Sequence, residues 1–229
     1  TILDTVVVGY APRGLAFNPT REKVYVANNH ADNVTVIDGA TNQVVAEVPA
    51  GEQPAAVCYN PASGQAYCTN GRGRSVTVID GATNGVTATL SLSGNPDRLL
   101  CDPEGNKVYV ACYGAEIAVI DGATNQVVDS ITLGSKPGVM CFNPAGPKLY
   151  AAGGYGDSVK VVDAINNQVV ATVADGDLYS FDIDEAGDGN RHSWPDAACM
   201  QTRTAVRAES PHRRRRELVI QIGRASCRE

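Results

Sequence analysis

Residues 34–45 read VTVIDGATNQVV, and close copies follow at residues 76–87 (VTVIDGATNGVT), 117–128 (IAVIDGATNQVV) and 159–170 (VKVVDAINNQVV). A fixed period of this kind is the sequence signature of a repeat architecture. The aspartates of the four copies are 42, 41 and 42 residues apart, and three other columns keep the same step. These columns are Pro12, Pro54, Pro96 and Pro137; Pro19, Pro61, Pro103 and Pro144; and Tyr25, Tyr67, Tyr109 and Tyr150.

Each copy contains four short strand signals, which we name A to D. In the first copy they lie at residues 13–17 (RGLAF), 23–27 (KVYVA), 34–37 (VTVI) and 43–48 (QVVAEV). Gly, Pro, Asn and Asp separate these runs, which are short and rich in β-branched residues, so strands are favoured over helices. The C–D turn, residues 38–42 (DGATN), is predicted to close by Asx-type hydrogen bonds from its aspartate. Gly39 and its equivalents are expected at turn positions with positive φ.

Four antiparallel strands in about 42 residues are typical of a β-propeller blade. Runs such as VTVI are continuously apolar because both faces of a blade pack against neighbouring blades. The Tyr25 column is expected to pack between blades. We therefore predict an all-β fold, an incomplete β-propeller ring of four-stranded antiparallel blades of about 42 residues.

The segments 25–28 (YVAN) and 67–70 (YCTN), each followed by V-x-V-I-D-x-A-T-N, resemble the YVTN-type β-propeller repeat. The later copies diverge, to YVAC at residues 109–112 and YAAG at 150–153. The resemblance covers residues 1 to about 187. It implies a seven-bladed ring in secreted or cell-surface proteins of the WD40/YVTN-like superfamily, and hence an extracytoplasmic location: periplasmic, secreted or cell surface.

Seven blades of this size need about 290 residues, so we expect the chain to be a fragment of about four blades. Residues 1–9 are predicted to be an orphan outer strand of a neighbouring blade, because Gly9 aligns with Gly51. The blades are expected at residues 10–51, 52–93, 94–134 and 135–176, and residues 177–187 begin a fifth. A blade cannot bury its faces alone, so we also expect this chain to be poorly soluble or to self-associate.

Residues 188–229 do not continue the repeat. They carry nine arginines and no lysine, and residues 221–229 (QIGRASCRE) resemble the translation of a short-read sequencing adapter. We interpret residues 188–229 as a non-native, disordered tail that arose from a frame shift. The alternative is a basic arm around Arg213–Arg216 that binds nucleic acid or an acidic surface.

Seven cysteines are present without any C-x-x-C spacing, and residues 1–187 contain a single histidine, His30. Zinc is therefore not expected, and we predict no metal site and no cofactor. Buried thiols are the favoured state of the cysteines. The alternative is a disulfide, for which Cys58 and Cys68, on consecutive predicted strands, are the candidate pair.

Charge narrows the classes of partner. Residues 1–187 carry 10 Lys and Arg against 20 Asp and Glu, which disfavours nucleic acid and anionic membranes. No apolar run is long enough for membrane insertion. We expect an unidentified protein or a small polar ligand as partner, together with the missing blades of the same ring.

Antiparallel strand order places the B–C loops and the D–A connections on one face of the ring, which we call the B–C face. The A–B and C–D turns then lie on the opposite face. Residues that differ between blades are the functional candidates, because a repeated column cannot make a unique site. The predicted ligand-binding residues on the B–C face are Arg13, His30, Asp32, Arg72, Arg74, Asp97, Tyr113, Glu116, Tyr155 and Asp157.

No catalytic residues are predicted, because His30 is the single histidine of residues 1–187 and no G-x-S-x-G motif surrounds a serine. The favoured function is a non-catalytic propeller scaffold that presents a ligand- or protein-binding face. One alternative is a lactonase-like or amine-dehydrogenase-like propeller enzyme whose catalytic residues lie on missing blades. A second alternative is a structural surface-layer module.

Overall fold

The computed structural model describes residues 2–143, 145–153 and 158–174, which form sixteen β-strands and no helix. The strands pair into four separate sheets of four, each antiparallel and in chain order. The prediction of an all-β, incomplete propeller with four-stranded blades is confirmed, and we number the blades from first to fourth. No helix in the described residues has the length and apolarity needed to cross a membrane.

Strands A, B, C and D follow one another in every blade. The first blade contains β1 (Pro12–Asn18), β2 (Lys23–Asn28), β3 (Asn33–Asp38) and β4 (Gln43–Pro49). The second contains β5 (Pro54–Asn60), β6 (Gln65–Asn70), β7 (Ser75–Asp80) and β8 (Val86–Ser91). The third contains β9 (Pro96–Asp102), β10 (Lys107–Cys112), β11 (Glu116–Asp121) and β12 (Gln126–Thr132). The fourth contains β13 (Pro137–Asn143), β14 (Lys148–Gly153), β15 (Ser158–Asp163) and β16 (Gln168–Ala174).

Residues 2–8 belong to none of the four sheets. The space beside Gly9 is filled by the Asn28 side chain, just as the space beside Gly51 is filled by Asn70. The two glycines therefore occupy equivalent places, three residues before the A strands of consecutive blades. Strand pairing by residues 1–9 stays a prediction, as do the fifth repeat at residues 177–187 and the tail at 188–229, both of which lie outside the described residues.

The C–D turns close as the sequence predicts. The Asp38 Oδ1 atom accepts the backbone N–H groups of Ala40 and Thr41 at 3.1 and 2.8 Å, and the Thr41 hydroxyl at 2.8 Å. These hydrogen bonds, led by that of the hydroxyl, lower the pKa of Asp38. The equivalent aspartates of the other blades accept the same backbone N–H groups; they are Asp80, Asp121 and Asp163.

The prediction of positive φ at the turn glycines is wrong. The positive φ falls three residues later, at 58° for Asn42 and at similar values in its equivalents. Glycine is needed at position 39 because of a close backbone contact. The Gly39 N–H donates to the Glu22 carbonyl of the A–B turn at 2.6 Å, and a Cβ on residue 39 would lie 2.7 Å from that oxygen. The glycine therefore allows two turns of one blade to touch.

Adjacent blades bury an apolar cluster between them. The first and second blades enclose Tyr25, Val34 and Val36 with Val57 and Ile79, and each later pair of blades repeats the arrangement. The tyrosines of the first three blades are fully buried, which confirms that this column packs between blades; they are Tyr25, Tyr67 and Tyr109. Burial of large aromatic side chains contributes strongly to stability, so stacking of the sheets stabilises the fold.

A disulfide joins the second blade to the third. The Sγ atoms of Cys58 and Cys101 are in bonding contact, and their Cα atoms are 6.6 Å apart. The Cys58–Cys68 pair, the candidate for the disulfide alternative, is wrong because Cys68 lies opposite Val57 in the sheet and Cys58 lies opposite Tyr67. A register difference of one residue turns side chains to opposite faces. Cys58 therefore faces the third blade and Cys68 the first.

The favoured prediction of buried free thiols is confirmed for Cys68 and Cys112 and is wrong for Cys58 and Cys101, which form the disulfide. Cys68 and Cys112 are free and buried, and burial raises their pKa values to about 12 and about 11. Such thiols stay protonated and unreactive at neutral pH. Cys141 is free and half-buried, so these three cysteines provide controls for the bonded pair.

One hydrogen bond that joins the second blade to the third has no counterpart between the first blade and the second. The Asn60 Nδ2 group donates to the Asn106 Oδ1 atom of the third blade at 2.9 Å. Asn18 occupies the same position in the first blade, but the residue equivalent to Asn106 is Gly64. The Asn18 Nδ2 atom is buried without a partner, which carries the free-energy cost of an unsatisfied donor.

Replacing Gly64 with asparagine should stabilise the protein by about 1 kcal/mol, because it supplies the missing acceptor. A Cβ at Gly64 has no atom within 4 Å, and the φ of 69° there is close to the 48° that Asn106 adopts. The measurement is the free energy of unfolding in urea. Gly64→Ala is the control, since it meets the same φ without an acceptor; equal stability of the two variants would contradict the explanation.

Reduction of the Cys58–Cys101 disulfide should lower the free energy of unfolding. Its sequence separation is 43 residues, and closing a loop of that length stabilises a protein by about 4 kcal/mol in the chain-entropy description. The double variant Cys58→Ser, Cys101→Ser should unfold at lower urea concentration than the wild type and be insensitive to reductant. Cys141→Ser should keep the sensitivity to reductant, and a wild-type midpoint unchanged by reductant would argue against the bond.

Candidate ligand-binding face

Backbone hydrogen bonds build the B–C face. The N–H groups of Asn29 and His30 donate to the carbonyl oxygens of Ala11 and Tyr10 at 2.9 and 3.2 Å. The next two blades repeat this contact between a B–C loop and the preceding D–A connection, with Gly71 N–H to Gln53 O at 2.8 Å and Tyr113 N–H to Asn95 O at 3.0 Å. Both kinds of loop therefore lie on one face in the first three blades.

The A strands line the inner edge of the arc. β1, β5, β9 and β13 contact one another in sequence. Each begins with a β-bulge, where the extra residue of the first blade is Arg13 and that of the third is Asp97. Bulges commonly redirect a side chain next to a functional site. Arg13 lies at the start of β1 and not in a loop, and its side chain is exposed there.

An open cleft of about 590 Å³ lies between the first and second blades on the B–C face. Three of the predicted site residues line it: His30, Asp32 and Arg72. Three further residues complete the lining, and the sequence-based list did not contain them: Asn29, Glu52 and Gln53. Its volume lies within the range of small-molecule sites, but its polar lining differs from the apolar lining that is usual for them.

Hydrogen bonds hold two of the lining side chains in place. The Asp32 Oδ1 atom accepts the backbone N–H of Gln53 at 2.8 Å, so this carboxylate bridges the B–C loop of the first blade and the connection to the second. The Asn29 Nδ2 group donates to the Pro54 carbonyl at 2.8 Å and is buried. Asp32 keeps its second oxygen for a ligand.

The charged side chains of the cleft are only weakly paired. The Arg72 Nε atom lies 3.8 Å from Glu52 Oε2, and these side chains are 73% and 66% exposed. Exposed ion pairs of this kind contribute little to stability, so both groups are available to a ligand. The His30 ring packs against Tyr10, with centroids 5.5 Å apart. The cleft can therefore accept both a cationic and an anionic group of one polar ligand.

A second polar cluster lies between the third and fourth blades. The Lys136 ammonium group is 3.4 Å from the Asp97 carboxylate and 3.3 Å from the centre of the Tyr113 ring. Asp97 and Tyr113 are thus brought together by a lysine that the predicted site list omitted. A cation over an aromatic ring is attracted by its π-electrons. Because these three side chains interact with one another, they hold the loops of the third blade in place.

Two more predicted site residues form hydrogen bonds with nearby side chains. The Arg74 Nε group donates to Asn95 Oδ1 at 3.0 Å. Glu116 accepts hydrogen bonds from the hydroxyl of Ser130 at 3.0 Å and from that of Ser93. Neither residue lines the cleft. Tyr155 and Asp157 lie outside the described residues.

No group of three or more His, Cys, Asp or Glu is placed to hold a metal ion within residues 2–143, 145–153 and 158–174.

The predicted site residues did not include Glu52 and Gln53, although the positions of these two residues vary between blades. Both stand in a D–A connection, where the aligned residues are Tyr10 and Ala11 in the first blade and Gly94 and Asn95 in the third. That variation is as great as in the B–C loops and was the signal that could have found them.

No protein-family model matches the sequence, and no curated protein matches it significantly. Among solved structures, the chain is similar to a chain of hydrazine synthase from Kuenenia stuttgartiensis, with a TM-score of 0.66 and 26% sequence identity. The match covers 76% of this chain and 52% of that chain. This chain thus spans about half the length of the enzyme chain to which its fold is similar.

Proposed function

We propose that the protein is a non-catalytic β-propeller scaffold of the YVTN type that uses its B–C face to bind a small polar ligand or a segment of another protein. The observation that carries this proposal is the cleft lined by His30, Asp32, Glu52 and Arg72. His30, Glu52 and Arg72 have no counterpart of the same type at their positions in the other blades, whereas Asp32 recurs as Asp157 in the fourth blade. The cleft is wide and open and is lined by both acidic and basic side chains. It therefore suits an extended peptide with charged side chains better than a substrate that must be buried.

The disulfide supports an extracytoplasmic location for this scaffold. Disulfides form and persist in secreted, periplasmic and surface proteins and are rare where thiols are kept reduced. Cys58 and Cys101 come from different blades, so their bond fixes the stacking of two sheets.

The second candidate is a propeller enzyme. The similarity to a chain of hydrazine synthase favours it, since that protein is an enzyme by its name. Fold similarity alone does not carry a reaction from one protein to another. In this alternative the catalytic groups lie on blades beyond the four described ones. A surface-layer module, the third candidate, needs no ligand at the cleft.

The binding proposal predicts that peptides selected from a random linear library on the immobilised wild-type protein recognise the cleft. Arg72→Ala should weaken binding of the selected peptides about tenfold or more, because it removes a charged contact worth about 1.5 to 3 kcal/mol. His30→Ala should also weaken it. The measurement is the dissociation constant of the enriched peptides by fluorescence anisotropy.

Arg21→Ala is the matched control, because Arg21 is an exposed arginine of the A–B turn on the opposite face. It should leave binding unchanged. Selected peptides that bind the wild type, Arg72→Ala and His30→Ala alike would contradict the assignment of this face.

A further inference from the structure

Two asparagine residues of the chain are followed directly by glycine, in the pairs Asn70-Gly71 and Asn84-Gly85. In such a pair the backbone nitrogen of the glycine can attack the side-chain amide carbon of the asparagine. Glycine favours this reaction because it has no side chain to block the approach and has a freer backbone than any other residue. The surroundings of each pair in the fold decide whether it can react.

The pair Asn70-Gly71 is held on both reacting groups. Asn70 is fully buried, and its Nδ2 group donates to Ser75 Oγ and Thr77 Oγ1 at 3.0 and 2.9 Å. The Gly71 N–H donates to the Gln53 carbonyl oxygen at 2.8 Å, in the contact that joins two loops of the B–C face. The amide that would leave and the nitrogen that would attack are therefore both fixed.

The pair Asn84-Gly85 lies in the C–D turn of the second blade and is less constrained. Asn84 is half-buried and Gly85 is exposed. β8 begins only at Val86, so Gly85 stands outside the strand. In the other three blades the D strand begins immediately after the turn asparagine, at Gln43, Gln126 and Gln168. The glycine therefore loosens the backbone at this turn alone among the four.

The attacking nitrogen has a path along which its proton can leave. The Gly85 N–H donates to Thr83 Oγ1 at 3.2 Å, and the Thr83 hydroxyl donates to Asp80 Oδ1 at 2.9 Å. Hydrogen bonds from Thr83, led by its backbone N–H, lower the pKa of Asp80. The Asp80 carboxylate is thus ionised at neutral pH and can accept a proton through the Thr83 hydroxyl.

A lysine of the neighbouring blade contacts the oxygen of the same amide. The Lys23 Nζ atom of β2 donates to Asn84 Oδ1 at 2.8 Å. It also donates to the carbonyl oxygens of Gly81 and Ala82 at 2.9 and 3.1 Å, which hold the ammonium group in place. Negative charge develops on Oδ1 when a nitrogen attacks the amide carbon. A fixed cationic donor at that oxygen stabilises the charge as an oxyanion hole does.

We propose that Asn84 is a self-modification site, at which Lys23 and Thr83 promote conversion of the asparagine to aspartate and isoaspartate. The Gly85 nitrogen forms a bond to Asn84 Cγ, the bond from Cγ to Nδ2 breaks, and ammonia leaves with the proton that the Gly85 nitrogen gave up. Water then opens the resulting ring at either of its two carbonyl carbons. The C–D turns lie on the face opposite to the B–C face, so this proposal is independent of the proposed binding function.

The reaction changes the contact between the first and second blades. An aspartate product places a carboxylate beside the Lys23 ammonium group, so a bond between a charge and a neutral amide becomes an ion pair. An isoaspartate product adds one carbon atom to the backbone of the turn and moves the carboxylate away from the position of Oδ1. The two products should therefore act differently on the Lys23 contact.

The chain contains its own controls for the two requirements. The Lys107 Nζ atom of β10 donates to Asn167 Oδ1 at 3.0 Å, which repeats the lysine contact between the third and fourth blades. Asn167 is followed by Gln168 of β16, so it has the ammonium group without the glycine. Asn70 has the glycine, but its Oδ1 atom receives no hydrogen bond. Asn84 combines both features.

Peptide mapping by mass spectrometry of the full 229-residue chain, incubated at neutral pH, measures the reaction at each asparagine. Asn84 should deamidate at least about tenfold faster than Asn70 and Asn167, whose backbones are held in ordered structure. Lys23→Met should slow the reaction at Asn84 about tenfold, because it removes a charged hydrogen bond to the developing oxyanion. Lys23→Arg should restore most of the rate. Lys107→Met is the matched control and should leave the Asn84 rate unchanged.

A second pair of variants tests the proton path. Thr83→Val should slow the reaction at Asn84, whereas Thr83→Ser, which keeps the hydroxyl, should react like the wild type. Incubation in urea gives the reference for a variant that fails to fold: there Asn70 and Asn84 should react at similar rates, and Lys23→Met should have no effect. Equal rates at Asn70 and Asn84 in the folded protein, or a folded Lys23→Met variant that reacts as fast as the wild type, would overturn the proposal.

Discussion

The structure depends on apolar burial between neighbouring sheets. Each blade presents β-branched and aromatic side chains on both of its faces, and these side chains are buried from solvent only when another blade covers them. Tyr25, Tyr67 and Tyr109 are completely buried because each lies between two blades. The exposure of Leu15 at the end of the arc shows what happens where such cover is absent. The repeat therefore specifies a stack of sheets and not a set of separate hairpins.

The two faces of the arc follow from this stacking but have different chemistry. On one face, Asp38 and its equivalents close the same turn in every blade, and small residues such as Gly39 let that turn touch its neighbour. These positions are constrained by local hydrogen bonds and have little freedom to vary. On the B–C face, the loops bond through backbone groups. Their side chains are therefore free to differ, and the cleft between the first two blades is built from that freedom.

The fold is shared with part of a hydrazine synthase chain, yet the site gives the stronger argument about function. A propeller supplies a rigid frame for loops, and its loops determine what is bound. In this chain, Asp32 and Asn29 are fixed by hydrogen bonds, whereas Arg72 and Glu52 remain exposed. Such a combination of fixed and exposed polar groups suits recognition of a polar partner.

The sequence by itself determined the period, the strands, the turns and the order of strands within a blade. It could do so because Asx turns and β-branched runs act over a few residues. It also named His30, Asp32 and Arg72, since loops that differ between copies can be read by alignment. Only the tertiary structure decided that Cys58 meets Cys101, that Glu52 completes the cleft, and that Lys136 joins Asp97 to Tyr113. These contacts cross between blades, and the register and stacking of whole sheets set their distances, which no local pattern encodes.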